Sequence, residues 1–175
     1  MKKLNVLIDE ESLQKRVKEI ANQIMEDYKE KDLVFLCILK GAMFFTIDLA
    51  RKISNNVHLE FMKVSSYGAG TESSGEVELE LDVKNSIEGK HVIVIDDIVD
   101  TGHTLSYLLE YLKERKPSTI KLCVLLDKKE RREVEVAADY IGFEIPNRFV
   151  IGYGLDFDEN YRTLPYVGYL EWCLL

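Results

Sequence analysis

The apolar positions of this chain follow two rhythms that take turns. Over residues 9–28, Leu13, Val17, Ile20, Ile24 and Tyr28 recur every three or four residues, the spacing that lines one face of an α-helix. Asp9, just ahead of them, suits the N-cap. Residues 33–39 are an unbroken apolar run, which predicts a buried strand ending at Lys40-Gly41. A helical stretch over residues 42–53 and a strand over residues 57–64 are expected next. Val92, Ile93, Val94 and Ile95, four branched residues in a row, predict a central parallel strand. Leu105, Leu108, Leu109 and Leu112 then mark a helix face that ends near Lys116-Pro117. Residues 120–126 form another apolar run, and residues 140–145 and 149–151 give shorter ones. Strands alternating with helices predict an α/β fold with a doubly wound, mostly parallel sheet flanked by helices. Ligands of such sheets bind beyond the carboxyl ends of the strands, so chemistry is sought just after each apolar run.

Two segments break the rhythm. Residues 65–75, S-S-Y-G-A-G-T-E-S-S-G, are small, polar and glycine-rich, a functional or mobile loop or a plain hairpin connection. Residues 76–83 then alternate apolar and acidic, with Val77, Leu79, Leu81 and Val83 on one side, the pattern of a half-exposed antiparallel strand.

Composition narrows the class. With 175 residues, 46% of them hydrophobic, the chain can bury one substantial core, and no repeat, low-complexity tract or linker divides residues 1–175. No apolar run approaches the roughly 20 residues that span a bilayer. The two lysines near the N-terminus have no apolar segment behind them, so no secretory signal is visible and a soluble, cytoplasmic protein is expected, with no membrane partner. Cys37, Cys123 and Cys173 are an odd number without metal-ligand spacing, which fits reduced core thiols. A net charge of −8 argues against a nucleic-acid partner. It leaves room for a small anion held by local amides and lysines.

The densest chemistry lies in residues 92–104, V-I-V-I-D-D-I-V-D-T-G-H-T. Asp96 and Asp97 terminate the buried strand, and side-chain alternation should send them in different directions, toward hydroxyls and a hydrated Mg²⁺ and not toward one shared proton. Asp100 follows, and Thr101, Gly102, His103 and Thr104 open a helix. Gly102 allows a tight turn, the threonines supply hydroxyls, and the helix start supplies free amides, which together compose an anion cradle. One acidic residue would serve as a helix cap; three acids followed by T-G-H-T exceed that need. A receiver-type phosphoacceptor domain also begins with paired aspartates after a strand. It needs more chain beyond the pair than the 78 residues that follow Asp97.

Residues 92–104 resemble the motif by which type I phosphoribosyltransferases bind 5-phosphoribosyl 1-pyrophosphate (PRPP). Over residues 34–171 the chain is similar to the hypoxanthine-guanine phosphoribosyltransferase family in its compact bacterial form. The first acid of that motif is commonly Glu in the family and is Asp96 here, one methylene shorter. The resemblance implies that Asp96 and Asp97 bind the ribose hydroxyls, directly or through Mg²⁺. It implies that residues 100–104, His103 through its amide, hold the 5-phosphate. Asp100 would also accept the proton of the purine as general base. Lys40 and Gly41 match the pyrophosphate loop, where the family often holds a cis peptide, here Leu39–Lys40. Lys128 matches the lysine that donates to the purine 6-oxo group, Phe149 would stack on the base, and the Val150 backbone would meet its Watson–Crick edge. On periodicity alone Phe149 and Val150 would be ordinary core residues; G-Y-G-L-D at 152–156 followed by Tyr161-Arg162 argues otherwise. Asp156 would lie near a second metal, and Arg162, helped by Arg132, would contact pyrophosphate.

By the same resemblance, Ser66 and Tyr67 belong to a lid over residues 65–76, and residues 1–8 and 146–175 form a small hood. The implied function is purine salvage, transfer of the phosphoribosyl group from PRPP to a 6-oxopurine base, hypoxanthine or guanine, with Mg²⁺ as cofactor. A homodimer or homotetramer is implied as well. Two other readings stay open: a PRPP-binding regulatory protein of the same fold, and a phosphoribosyltransferase for another base.

Overall fold

The computed structural model describes residues 2–66 and 77–172. In chain order the elements are β1 (Lys2–Ile8), α1 (Glu10–Tyr28), β2 (Leu33–Leu39), α2 (Met43–Ala50), β3 (Val57–Ser66), β4 (Val77–Leu81), β5 (His91–Val99), α3 (His103–Lys113), β6 (Thr119–Asp127), β7 (Tyr140–Glu144), β8 (Val150–Ile151) and β9 (Val167–Trp172), with a 3-10 turn at Lys129–Arg131 between β6 and β7. The main sheet runs β4-β3-β2-β5-β6-β7, parallel throughout except for the antiparallel β4. A second, antiparallel sheet runs β1-β9-β8.

Alternation along the central strands explains the layering. Leu33, Phe35, Ile93 and Ile95 enter the core shared with Leu13, Val17, Ile20 and Ile24 of α1 and Phe45 and Leu49 of α2. Val34, Leu36, Val92 and Val94 enter the opposite core, which packs on Leu105, Leu108 and Leu112 of α3. Helices therefore cover both faces, as a parallel sheet requires. Helix α1 starts where expected, because the Asp9 carboxylate accepts the Ser12 N–H at 2.8 Å and Glu10 and Glu11 sit in the positive first turn.

Several boundaries differ from the expectation. Helix α2 ends at Ala50, three residues early, where the Arg51 N–H closes the last turn on the Ile47 carbonyl at 3.1 Å. Strand β5 does not stop at Asp96; its pairing with β6 continues through Asp96–Val124 and Ile98–Leu126, so Asp96 and Asp97 lie within the last four residues of the strand. Ser65 and Ser66 belong to β3, paired with Glu78 and Val77. The rest of the expected lid, Tyr67 included, falls outside the described residues. The apolar pattern does not reveal β1 and β9 as strands. Each finds its partner at the other end of the chain, as in the bond from Asn5 to Glu171 at 3.1 Å.

Candidate active site

The carboxyl ends of β2, β5 and β6 and the loop around β8 converge on two adjoining recesses. Alternation along β5 sends Asp96 toward the α3 side and Asp97 toward the α2 side. Asp96 lines a recess of about 170 Å³ with Ile98, Asp100, Thr101, Gly102, Thr104 and Leu105. Gly102 caps α3 with φ +94°, and the first bond inside the helix is from Ser106 N–H to the Gly102 carbonyl at 2.9 Å. The amides before it open on this recess, with the positive helix end behind them. That is an anion cradle. His103 is exposed and its Nε2 lies 2.9 Å from Glu133, so its side chain is engaged away from the cradle's lining residues.

Asp97 faces the β2 loop. A Cβ at Gly41 would lie 1.6 Å from the Asp97 carboxylate, and a Cβ at Gly154 would lie 1.9 Å from the Gly41 carbonyl. Only glycine lets these three segments of chain approach so closely. The Leu39–Lys40 peptide is cis, as the resemblance implied. Lys40 reaches across to Glu159 at 2.9 Å, which ties the β2 loop to the segment carrying Asp156 and Arg162.

Asp96 and Asp97 line different recesses. Burial pushes the Asp96 carboxyl well above the usual range, and the neighbouring Asp97 charge pushes it further; burial raises Asp97 too. Asp97 N–H donates to the Asp96 carboxylate at 2.9 Å. Two adjacent negative charges at a buried strand end are poorly solvated, which favours the neutral form of each carboxyl more than at an exposed aspartate.

The larger recess, about 420 Å³, is lined by Asp97, Ile98, Asp100, Lys128, Phe149, Val150 and Asp156, with Arg131, Asn147 and Leu155. Lys128 is buried, and its ammonium lies 3.8 Å from Asp100 Oδ2, too far for a hydrogen bond. Phe149 is 61% exposed and meets Phe157 edge-to-face at 5.7 Å, so one ring face is open, whereas Val150 is buried. Phe149 is therefore no core residue. Asp156 accepts the Glu159 N–H at 2.8 Å and pairs with Arg162 at 3.0 Å. Arg162 also donates to the Gly154 carbonyl at 2.7 Å and to Glu159 at 3.3 Å. Its Nε is buried without a partner among the described residues.

Arg132 departs from its expected role. Its guanidinium is committed to the protein: it bonds the Asp127 carboxylate, the Val136 carbonyl at 2.7 Å and the Asp100 carbonyl at 3.2 Å. It braces the floor of the anion cradle, and its guanidinium is turned to these partners. Arg131 and Asn147, in contrast, line the recess although the sequence reading does not single them out. A signal for Arg131 exists, since residues three apart on a 3-10 turn share a side and Lys128 is three before it.

Among the described residues, no three His, Cys, Asp or Glu side chains converge on a metal-sized point. Mg²⁺ keeps several waters and takes one or two protein carboxylates plus substrate oxygens. The crowded pair Asp96 and Asp97 has the uncompensated acidity such an ion relieves. Asp156 is already matched by Arg162.

A twisted parallel sheet with acids and an anion cradle past its central strand defines the class as type I phosphoribosyltransferase. The family model for the phosphoribosyl transferase domain matches residues 7–158. The hypoxanthine-guanine phosphoribosyltransferase of Dictyostelium discoideum is 52% identical over 170 residues, covering 95% of this chain and 94% of that protein. That of Bacillus subtilis is 46% identical, covering 95% and 92%. The chain spans only 26% of the bifunctional TilS/HprT proteins of Listeria monocytogenes, to which it is 48% identical over 166 residues. Among solved structures, a hypoxanthine phosphoribosyltransferase of Staphylococcus aureus superposes with TM-score 0.92 at 46% identity, covering 95% of this chain and 91% of that one. A hypoxanthine-guanine phosphoribosyltransferase of Bacillus anthracis gives TM-score 0.91 at 46% identity, covering 94% and 97%. This chain belongs to the hypoxanthine-guanine phosphoribosyltransferase family.

Proposed function

We propose that this protein transfers the 5-phosphoribosyl group from PRPP to hypoxanthine or guanine, giving IMP or GMP and pyrophosphate. The observation that carries the reading is the buried Lys128 ammonium, 3.8 Å from Asp100, in a recess walled by the open face of Phe149. A fixed cation there matches a 6-oxo acceptor and opposes the 6-amino donors of adenine. The base would lie against Phe149, with its Watson–Crick edge toward the Val150 backbone and Asp156.

The residues divide the work as follows. The amides and hydroxyls of residues 100–104 hold the 5-phosphate, and Asp96 and Asp97 hold the ribose hydroxyls. The Lys40–Gly41 loop and Arg162 face the pyrophosphate. Purine N9 attacks C1′, the bond from C1′ to the pyrophosphate oxygen breaks, and the proton on N7 passes to Asp100. A positioned base of this kind contributes roughly 10²- to 10⁴-fold. Asp96 and Asp97 would hold Mg²⁺, which supplies charge neutralisation for the departing pyrophosphate. Residues 65–76, with Ser66 and Tyr67, serve as a lid that excludes water, and the β1-β9-β8 sheet with its loops serves as the hood.

Replacing Lys128 tests the reading. Lys128→Ala should lower kcat/KM for hypoxanthine by about 10²-fold while changing the KM for PRPP little. An unchanged kcat/KM would remove Lys128 from base recognition.

A further inference from the structure

We propose that Arg131 is a positioning residue for Asp100, resting on the reading that Asp100 accepts the purine proton. Asp100 faces two cations, and they treat its oxygens differently. Arg131 Nε lies 3.1 Å from Oδ1, while Lys128 Nζ stays 3.8 Å from Oδ2. Oδ1 is shut off from solvent and has no directed hydrogen bond, so the guanidinium covers that oxygen without satisfying it. Oδ2 is left as the oxygen that faces Lys128 and the recess where the base would lie.

This asymmetry originates in the backbone. Arg131 N–H donates to the Lys128 carbonyl at 3.1 Å, closing the 3-10 turn Lys129–Arg131 and putting both side chains on the cleft side. Lys129, on the same turn, points away and pairs with Glu144. A carboxylate's terminal torsion is broad, and covering one oxygen is what selects the rotation that presents the other. Arg131 is about half exposed, so its loss leaves little cavity and exerts its effect on Asp100. Asp96 and the cradle residues Thr101, Gly102 and Thr104 line the other recess, which Arg131 does not line.

The effect should therefore fall on turnover and not on PRPP binding. Arg131→Ala and Arg131→Gln should each lower kcat about tenfold, with KM for PRPP held within about twofold. Arg131→Lys, and millimolar guanidinium added to Arg131→Ala, should restore a good part of the loss. Lys129→Ala, which disturbs the same turn from its outer side, should match the parent. The proposal falls if kcat of both Arg131 variants stays within about twofold of the parent. It also falls if kcat and PRPP affinity drop together without rescue, the mark of a merely structural role. Absence of 6-oxopurine transfer in the parent would instead sink the functional reading itself, whatever the variants do.

Discussion

At the scale of residues, the site is organised around charges that the protein alone leaves unresolved. Asp96 and Asp97 are adjacent on a buried strand end, where burial raises both carboxyls and the Asp97 charge raises Asp96 further. Such crowding lowers stability and persists at sites where a ligand or ion later relieves it. Asp96→Asn keeps the shape and the acceptor for the Asp97 N–H while removing one charge. It should raise the stability of the metal-free protein by about 1 kcal/mol, roughly 2–4 °C in Tm for a chain of this size, while lowering turnover. Differential scanning calorimetry checks this, and a lower Tm would show that the pair is not a source of strain. Gly41 and Gly154 belong to the same scale. Their close approach to Asp97 and to each other is what lets three separate segments meet at one point.

At the scale of elements, the decisive joint is between the end of β6 and the phosphate cradle. Arg132 links the Asp127 carboxylate, the Asp100 carbonyl and the Val136 carbonyl, with both charged groups largely buried. Removing one partner of such a pair strands the other. Arg132→Ala should destabilise the fold by about 3 kcal/mol, read from urea unfolding, and should raise the KM for PRPP because the cradle loses its floor. An unchanged unfolding midpoint would contradict that role. From sequence, Arg132 passes for a pyrophosphate ligand, because a basic cluster after a strand shows charge but not which acceptors the fold brings near it. The same limit hides Arg131, whose meaning depends on a 3-10 turn. Elements whose signal is local are legible: α1 from its apolar stripe and Asp9, β2 and β5 from unbroken branched runs. The end of β5 is misplaced because acidic residues suggest exposure, whereas pairing with β6 carries the strand on to Val99. β1 and β9 are illegible as strands, because each is defined by a remote partner, 166 residues away in the Asn5–Glu171 bond.

At the scale of the whole molecule, the doubly wound sheet gathers the anion cradle, the acids, the cis-peptide loop and the larger recess at the carboxyl ends of its strands. The antiparallel β1-β9-β8 sheet carries the Val150 side of the larger recess, so segments from both ends of the sequence must fold together before the site exists. No described helix is long and apolar enough to cross a membrane. We propose phosphoribosyl transfer from PRPP to a 6-oxopurine. Its most direct test is the rate of pyrophosphate release with PRPP and Mg²⁺, measured in parallel with hypoxanthine, guanine, xanthine and adenine. The account predicts release with hypoxanthine or guanine and none above background with adenine. Release with adenine alone, or with no base despite measurable PRPP binding, would contradict it.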